Sequence, residues 1–234
     1  MAVIHNTTMK PGKLELLASW LPTQPWYIGA EREPELSKAG GFRLDDPQGE
    51  VGIEFMVVTD ESDDRPVSYH VPLSYRGAPL DGAGQALIGT SDHGVLGRRW
   101  VYDGAHDPVL VAQLLALLQG RAEPQAQSAT NTTDSSVTTY FAGVGFPTVI
   151  GSTAIANGSH GTHLVVETKA EAKLNTEPAG HLAMHITRVL QQDRRAPRTH
   201  TTEAQGYVTA GWRMPDGGES RDLFVVLRDA APQV

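Results

Sequence analysis

The sequence predicts an α+β fold in which antiparallel β-strands dominate the second half. Two segments in the first 120 residues show the apolar spacing of short helices. Two neighbouring runs rich in β-branched and aromatic residues are separated by an acidic turn, and helical periodicity almost disappears beyond residue 136. These three observations set the order of elements that we expect along the chain.

The first expected element is a short amphipathic helix at residues 12–21, GKLELLASWL. Pro22 ends the helix, because a residue that precedes proline is driven out of the α region. The apolar positions at helical spacing are Leu14, Leu17, Ala18 and Leu21.

A rigid extended elbow follows at residues 22–29, PTQPWYIG. Its two prolines restrict the backbone, so Trp26 and Tyr27 can each bury a large area beside Trp20. We interpret this concentration of aromatic residues as a structural brace rather than as a reactive site.

A pair of antiparallel strands is predicted next, VGIEFMVV at 51–58 and PVSYHVPLSY at 66–75. Alternation places Ile53 and Phe55 on a core face and directs Glu54 away from that face. The glycine-rich segment 76–100 that follows is predicted to be a loop or a broken turn.

The second helix is the clearest in the chain and lies within residues 103–120. Asp107 is predicted to cap its amino terminus, Pro108 occupies the first helical position, and Gly120 follows its last apolar residue. We predict a domain at 1–120, a linker at 121–136 without large apolar residues, and a β-rich domain at 137–234 with turns at NGSHG and PDGG.

The composition excludes several kinds of function. The formal net charge of −8 argues against general binding of nucleic acid or of anionic membranes, which need a basic face. The absence of cysteine excludes disulfides and thiolate metal sites, and no apolar run approaches the roughly 18 residues of a membrane span. We therefore expect a cytoplasmic protein.

Two histidine pairs invite a metal hypothesis, His160 with His163 and His181 with His185. The second pair alternates with apolar residues, which predicts a strand on which the two imidazoles stand about 13 Å apart. Because a metal-binding pair at this spacing needs a helix, we predict no metal site.

Carboxylates, imidazoles and aromatic rings gather between Ser91 and Asp107. A carboxylate can orient an imidazole for proton transfer, paired arginines can hold an anion, and aromatic rings can stack on a sugar. Turn formation and helix capping are the alternative roles of the aspartates. The candidate ligand or partner contacts are Asp92, His93, Arg98, Arg99, Trp100, Tyr102, Asp103 and His106.

Residues 13–120 resemble the maltokinase N-terminal cap domain family. The resemblance rests on WLPTQPWYIG, on SYHVPLSYRGAPL and on ALIGTSDHGVLGRRWVYDGAHDPV, the last resembling short actinobacterial proteins that have a cap-like domain without the kinase domain. It implies a cystatin-like helix on a curved antiparallel sheet. It also implies a scaffold role for Trp20, Leu21, Pro22, Trp26, Tyr27 and Gly29.

The sequence departs from the family in its catalytic motifs. It has no H-x-D catalytic loop with a downstream Asn, and no lysine in a V-A-I-K-like strand. We therefore expect a non-catalytic binding or regulatory protein of maltose, trehalose or α-glucan metabolism, without a cofactor. The resemblance implies a sugar kinase or another α-glucan or trehalose enzyme as the partner. The alternative is a small sugar-binding protein or α-glucan-active enzyme that uses Ser91–Asp107.

Overall fold

The computed structural model describes residues 8–29, 32–127, 132–143, 145, 147–169, 180–191 and 203–230. Within these ranges the chain forms two α-helices, α1 (Lys13–Trp20) and α2 (Pro108–Leu118). The strands of the first half are β1 (Met9–Lys10), β2 (Leu36–Leu44), β3 (Gly52–Asp60), β4 (Val67–Arg76), β5 (Leu87–His93) and β6 (Gly97–Asp103). They are followed by β7 (Gln125–Ala126), β8 (Thr138–Phe141), β9 (Thr148–Asn157), β10 (Gly161–Lys169), β11 (Gly180–Thr187), β12 (Val189–Leu190), β13 (Gly206–Arg213) and β14 (Glu219–Asp229).

The predicted first helix is confirmed as α1. The Glu15 carboxylate accepts the backbone N–H of Gly12 at 2.6 Å, which satisfies a donor that the first turn of a helix leaves free. A 3-10 turn at Leu21–Thr23 ends the helix where Pro22 interrupts it. Leu17 and Trp20 are buried against the sheet.

The predicted hairpin is confirmed as β3 and β4, which pair in antiparallel register from Gly52 and Tyr75 to Asp60 and Val67. Ile53 and Phe55 point into the larger core, as the alternation predicts. The other face of β3 is buried as well, because α1 and the elbow cover it. Both faces of this strand therefore contribute to packing.

The prediction of a loop over residues 76–100 is wrong for its second part. Residues 87–103 form the β5–β6 hairpin, with Gly97 at φ 70° in the turn, a conformation that suits glycine. β6 also pairs with β4, and β1 pairs with β5. Pairing with an established strand therefore overrides the glycine content of the segment.

One sheet contains the described strands, in the order β1-β5-β6-β4-β3-β2-β13-β14-β11-β10-β9. After β11 the chain continues into β12, which pairs with β4. A ring of strands, β4-β3-β2-β13-β14-β11/β12, is thereby closed. We call the interior of this ring the inner face and the opposite side the outer face.

The inner face carries the larger core. Phe42 stacks on Phe55 with ring centroids 4.6 Å apart, and Phe224 and Trp212 pack nearby. The apolar side chains of α2 belong to the same cluster, together with Leu164 and other residues of the second half. Removing this apolar surface from water is the main stabilising contribution that the fold offers.

Strands on both sides of residues 121–136 share the sheet and the core. Within the predicted linker, β7 pairs with β2, and residues 128–131 lie outside the described ranges. The division into 1–120 and 137–234 stays a prediction. The mostly antiparallel sheet with two short helices confirms a β-rich α+β fold. In the described part of the chain, neither helix has the length and apolar character that crossing a membrane requires.

Candidate functional site

Four of the candidate residues lie on the β5–β6 hairpin near its tip. His93 Nδ1 accepts the backbone N–H groups of Val95 and Leu96 at 3.3 and 3.0 Å, and Arg99 donates to the Leu96 carbonyl at 2.5 Å. Arg98 and Asp92 are exposed and lie opposite each other across the hairpin. These contacts shape a turn that presents apolar side chains to solvent.

Trp100 and Tyr102 lie further along β6 and belong to a small separate core. Tyr102 is buried and its hydroxyl accepts the backbone N–H of Leu80 at 2.9 Å. Trp100 is half-buried and packs against the same cluster. The two rings thus hold the loop before β5 in place.

Asp103 forms a fully buried ion pair with Arg188. Arg188 Nη2 donates to both carboxylate oxygens at 2.7 Å, and its Nε donates to the Thr162 hydroxyl at 2.8 Å. The guanidinium carbon also lies 5.2 Å from the centre of the Trp26 ring. Arg188 is 0% exposed, so the charge is compensated inside the protein.

His106 and Asp107 lie between β6 and α2. Burial lowers the pKa of the half-buried His106, the Asp103 carboxylate raises it in part, and Arg188 lowers it. The predicted capping role of Asp107 is confirmed, because its carboxylate accepts the N–H of Val109 at 3.0 Å. It also accepts two bonds from Arg76 at 2.6 and 2.7 Å. Burial raises the pKa of Asp107, but the hydrogen bonds and charge of Arg76, with the Ser74 hydroxyl and the Val109 N–H, together leave this pKa lowered.

The candidate residues between Ser91 and Asp107 therefore divide among three surroundings: the hairpin tip, the small core around Tyr102, and the buried polar contacts before α2. Their role in contacting a ligand or a partner stays a prediction. His93, Arg99, Tyr102 and Asp103 form hydrogen bonds to backbone groups.

The elbow braces the outer face of β4. Trp26 is 0% exposed, with its ring centroid 5.7 Å from that of Trp20 in an edge-on arrangement. The Tyr27 ring stacks on Tyr69 at 5.4 Å, and its hydroxyl donates to Asp60 at 2.7 Å. Burial and hydrogen bonding to Asp60 raise the pKa of Tyr27. The aromatic segment thus packs against the sheet.

Glycine at position 29 is required by this packing, because a Cβ there would overlap the Tyr27 ring. The elbow passes next to β4 at this point, where the Ile28 N–H donates to the Tyr69 hydroxyl at 3.1 Å. The glycine and the aromatic residues of the elbow are therefore explained by the close approach of the elbow to β4 and by the burial of the rings.

A buried carboxylate, Glu54, joins α1 to the outer face of β3. It accepts bonds from Lys13 Nζ at 2.5 Å, from the Tyr75 hydroxyl at 2.6 Å and from Gln127 Nε2 at 3.0 Å. Burial raises the pKa of Glu54, but the charge and hydrogen bond of Lys13, the hydrogen bond from Tyr75 and the charge of Lys38 together leave this pKa lowered. Glu54 points away from the larger core, as predicted, but it is only 3% exposed.

Arg188 and His70 are among the buried polar residues that were not found from the sequence. Buried positions recur every second residue at Met184, Ile186 and Arg188, and this period of two is the signal that could have revealed the arginine. His70 lies on the inner face of β4 between Phe55 and Phe224, with the Phe224 ring centroid 4.2 Å away. Burial lowers the pKa of His70 to about 3, and Arg188 contributes to this shift.

A cavity of about 380 Å³ lies on the outer face of β11, β12 and β14. Its apolar lining comes from Val189, Leu223 and Val226. Its polar lining consists of His160, His185, Thr187, Gln191, Asp222 and Arg228. The cavity lies outside the segment Ser91–Asp107 that the sequence analysis selected. It could not be found from the sequence, because its residues come from three distant stretches of chain.

The second histidine pair lies on β11, so the predicted strand is confirmed. His185 is adjacent to His163 of β10 across the sheet, with ring centroids 4.4 Å apart. Across the described ranges, no three histidine, aspartate or glutamate side chains are placed to hold a metal ion together.

Comparison with known proteins agrees with the resemblance seen in the sequence. The family model described as the maltokinase N-terminal cap domain matches residues 20–107, which run from the end of α1 to the residue that caps α2. No curated protein matches the chain. The segment of residues 20–107 is therefore similar to the maltokinase N-terminal cap domain family.

Proposed function

We propose that this protein is a non-catalytic binding or regulatory protein that acts in the cytoplasm with a kinase-related enzyme of maltose, trehalose or α-glucan metabolism. The observation that carries the proposal is the family match over residues 20–107. The metabolic context is an inference from similarity to the family alone, since a shared fold does not establish a shared function.

The contacts of the matched segment support a scaffold role. Asp103 and Asp107 are held in ion pairs with Arg188 and Arg76, and Tyr102 accepts a backbone N–H. A residue that transfers protons must reach its substrate, and these groups are directed into the protein. The packing of α1 across β3 and β4 supports a cystatin-like arrangement for this segment.

The hairpin tip is the surface that we assign to the partner. Val95 is 60% exposed and Leu96 is 45% exposed, next to Arg98 and Arg99 in a protein of net charge −8. Exposed apolar side chains with a local positive charge fit a protein surface that has an apolar pocket and acidic groups around it.

The partner proposal is tested by calorimetric titration of the protein with a purified maltokinase. A Leu96→Asp variant should bind at least about tenfold more weakly, which corresponds to about 1.4 kcal/mol. Ile28→Asp is the matched control, because Ile28 is 59% exposed and contacts Tyr69 near the opposite end of β4. Absence of binding by the unmodified protein, or equal binding by both variants, would contradict this assignment.

The non-catalytic role is tested separately. The pure protein is incubated with magnesium, ATP and either maltose or glucosamine, and sugar phosphate is measured. We expect no product above the reaction without protein. Formation of sugar phosphate at an ordinary enzymatic rate, on the order of 1 per second or faster, would overturn the proposal.

A further inference from the structure

The outer face carries a continuous row of side chains that neither the family match nor the proposed partner surface explains. The register places Tyr140 of β8 beside Tyr207 of β13, Tyr207 beside Val226 of β14, and Val226 beside His185 of β11. Neighbouring strands are about 4.8 Å apart, so the row runs about 10 Å from Tyr140 to Val226. Val226 and His185 line the 380 Å³ cavity, and the tyrosine pair leads to it.

The tyrosine pair has an ordered geometry. The two ring centroids are 5.2 Å apart with the planes 24° from parallel, and Tyr140 is 47% exposed. Beside the rings, Arg221 donates to the hydroxyls of Thr209 and Thr138 at 2.8–3.0 Å. An exposed aromatic surface is thus bordered by polar groups that are already held in place.

The cavity combines apolar and polar lining residues. Its volume lies near the lower end of the range of small-molecule sites, roughly 300–1,000 Å³. Asp222 is 6% exposed, and its carboxylate accepts the backbone N–H of Gln191 at 3.0 Å, which fixes one wall. Asp222 and Arg228 carry opposite charges, so the lining has no excess of either sign when the histidines are neutral.

We propose that this face binds an uncharged saccharide, with one sugar ring in the cavity and the next ring of an oligosaccharide against Tyr140 and Tyr207. The C–H face of a sugar ring packs on the electron-rich face of an aromatic ring. Its hydroxyls need donors and acceptors together, which the Gln191 amide and the Thr187 hydroxyl of the lining supply. The inference goes beyond the proposed partner binding and does not depend on it.

The test is calorimetric titration of the full chain with glucose, maltose and maltotriose, with ATP as a charged aromatic comparison. We expect affinity to rise with chain length and ATP not to compete. Tyr140→Ala should weaken maltotriose binding by about tenfold, an effect of the size known for aromatic contacts, and leave glucose binding unchanged. Gln191→Trp fills the cavity and should abolish binding of all three sugars.

Leu96→Ala is the matched control, because Leu96 is 45% exposed on the hairpin tip. Tyr140 and Gln191 are both exposed, so circular dichroism and the urea midpoint should show that their variants stay folded. The proposal is overturned if no sugar binds at millimolar concentration, if ATP or a sugar phosphate binds in place of the neutral sugars, or if both site variants bind as the unmodified protein does. Partner binding through Leu96→Asp is measured independently, so failure of one proposal is distinguishable from failure of the other.

Discussion

The buried His70 should make the stability of this protein fall as the pH falls below neutral. Its folded-state pKa is lowered to about 3 by burial and by Arg188, whereas an unfolded histidine titrates near 6.5. Between these values the unfolded state binds one more proton than the folded state. Well below pH 6.5 the free energy of unfolding should therefore drop by about 1.4 kcal/mol per pH unit, and the total drop from pH 7 to pH 4.5 should be about 2.5 kcal/mol.

The perturbation that tests this reasoning is His70→Asn. The asparagine amide can still donate to the Thr187 carbonyl, which lies 2.9 Å from Nδ1 of His70, but it does not titrate. Urea unfolding followed by tryptophan fluorescence at several pH values gives the free energy of unfolding of each protein. The variant should be less stable at pH 7, because ring packing against Phe55 and Phe224 is lost. Its stability should then decline less steeply with acidification.

At pH values above about 4.5, the effect of His70 on stability can be distinguished from the effect of the buried carboxylates. The pKa values of Glu54, Asp60 and Asp107 lie below their ordinary values, so their contribution is lost only at lower pH. His106 has a lowered pKa and contributes with the same sign, but it is present in both proteins and cancels in the comparison. If the two curves of free energy against pH run parallel, His70 does not titrate as its burial requires.

Further variants test the main packing features by urea unfolding. Arg188→Met leaves the Asp103 carboxylate buried without its ion-pair partner and should lower the free energy of unfolding by about 3–5 kcal/mol. The double variant with Asp103→Asn should lose less free energy of unfolding than the sum of the two single losses. Strictly additive losses would contradict the pairing. Trp26→Ala should cost about 3–5 kcal/mol, and an unchanged urea midpoint would contradict the brace. Asp107→Ala removes both a helix cap and a partner of Arg76, so we expect a loss of about 2–4 kcal/mol. Asp92→Ala, at an exposed position, should change the free energy of unfolding by about 0.5 kcal/mol or less. Equal losses in the two aspartate variants would refute the distinction between the capping Asp107 and the exposed Asp92.

Elements whose signals are local in the chain could be predicted from the sequence. Asp107 and Pro108 mark the start of α2, and Gly120 adopts φ 70° just beyond its end. The strands β3 and β4 form where runs of β-branched and aromatic residues predict them, and β11 follows its alternation of apolar residues. Each of these signals depends on residues within one or two turns or a few strand positions, so no knowledge of distant pairing is needed.

Features that depend on distant pairing could not be predicted. The inner face of β4 carries Ser68, His70, Pro72 and Ser74, which resembles a solvent face, yet Ser68, His70 and Ser74 are fully buried because the ring closes over them. Asp103 and Arg188 are 85 residues apart, and nothing near either residue indicates its partner. The cavity likewise forms only where β11, β12 and β14 meet.

The closure of the ring by Val189 and Leu190 has a consequence for how the protein can be dissected. A fragment ending at residue 120 would lack β12 and β13, and it would expose the edges of β4 and β2 together with the aromatic residues between them. Unpaired strand edges beside apolar surface are templates for aggregation. During synthesis the family-matched segment therefore cannot complete its strand pairing until almost the whole chain has left the ribosome. Truncated versions prepared for biochemistry should be insoluble.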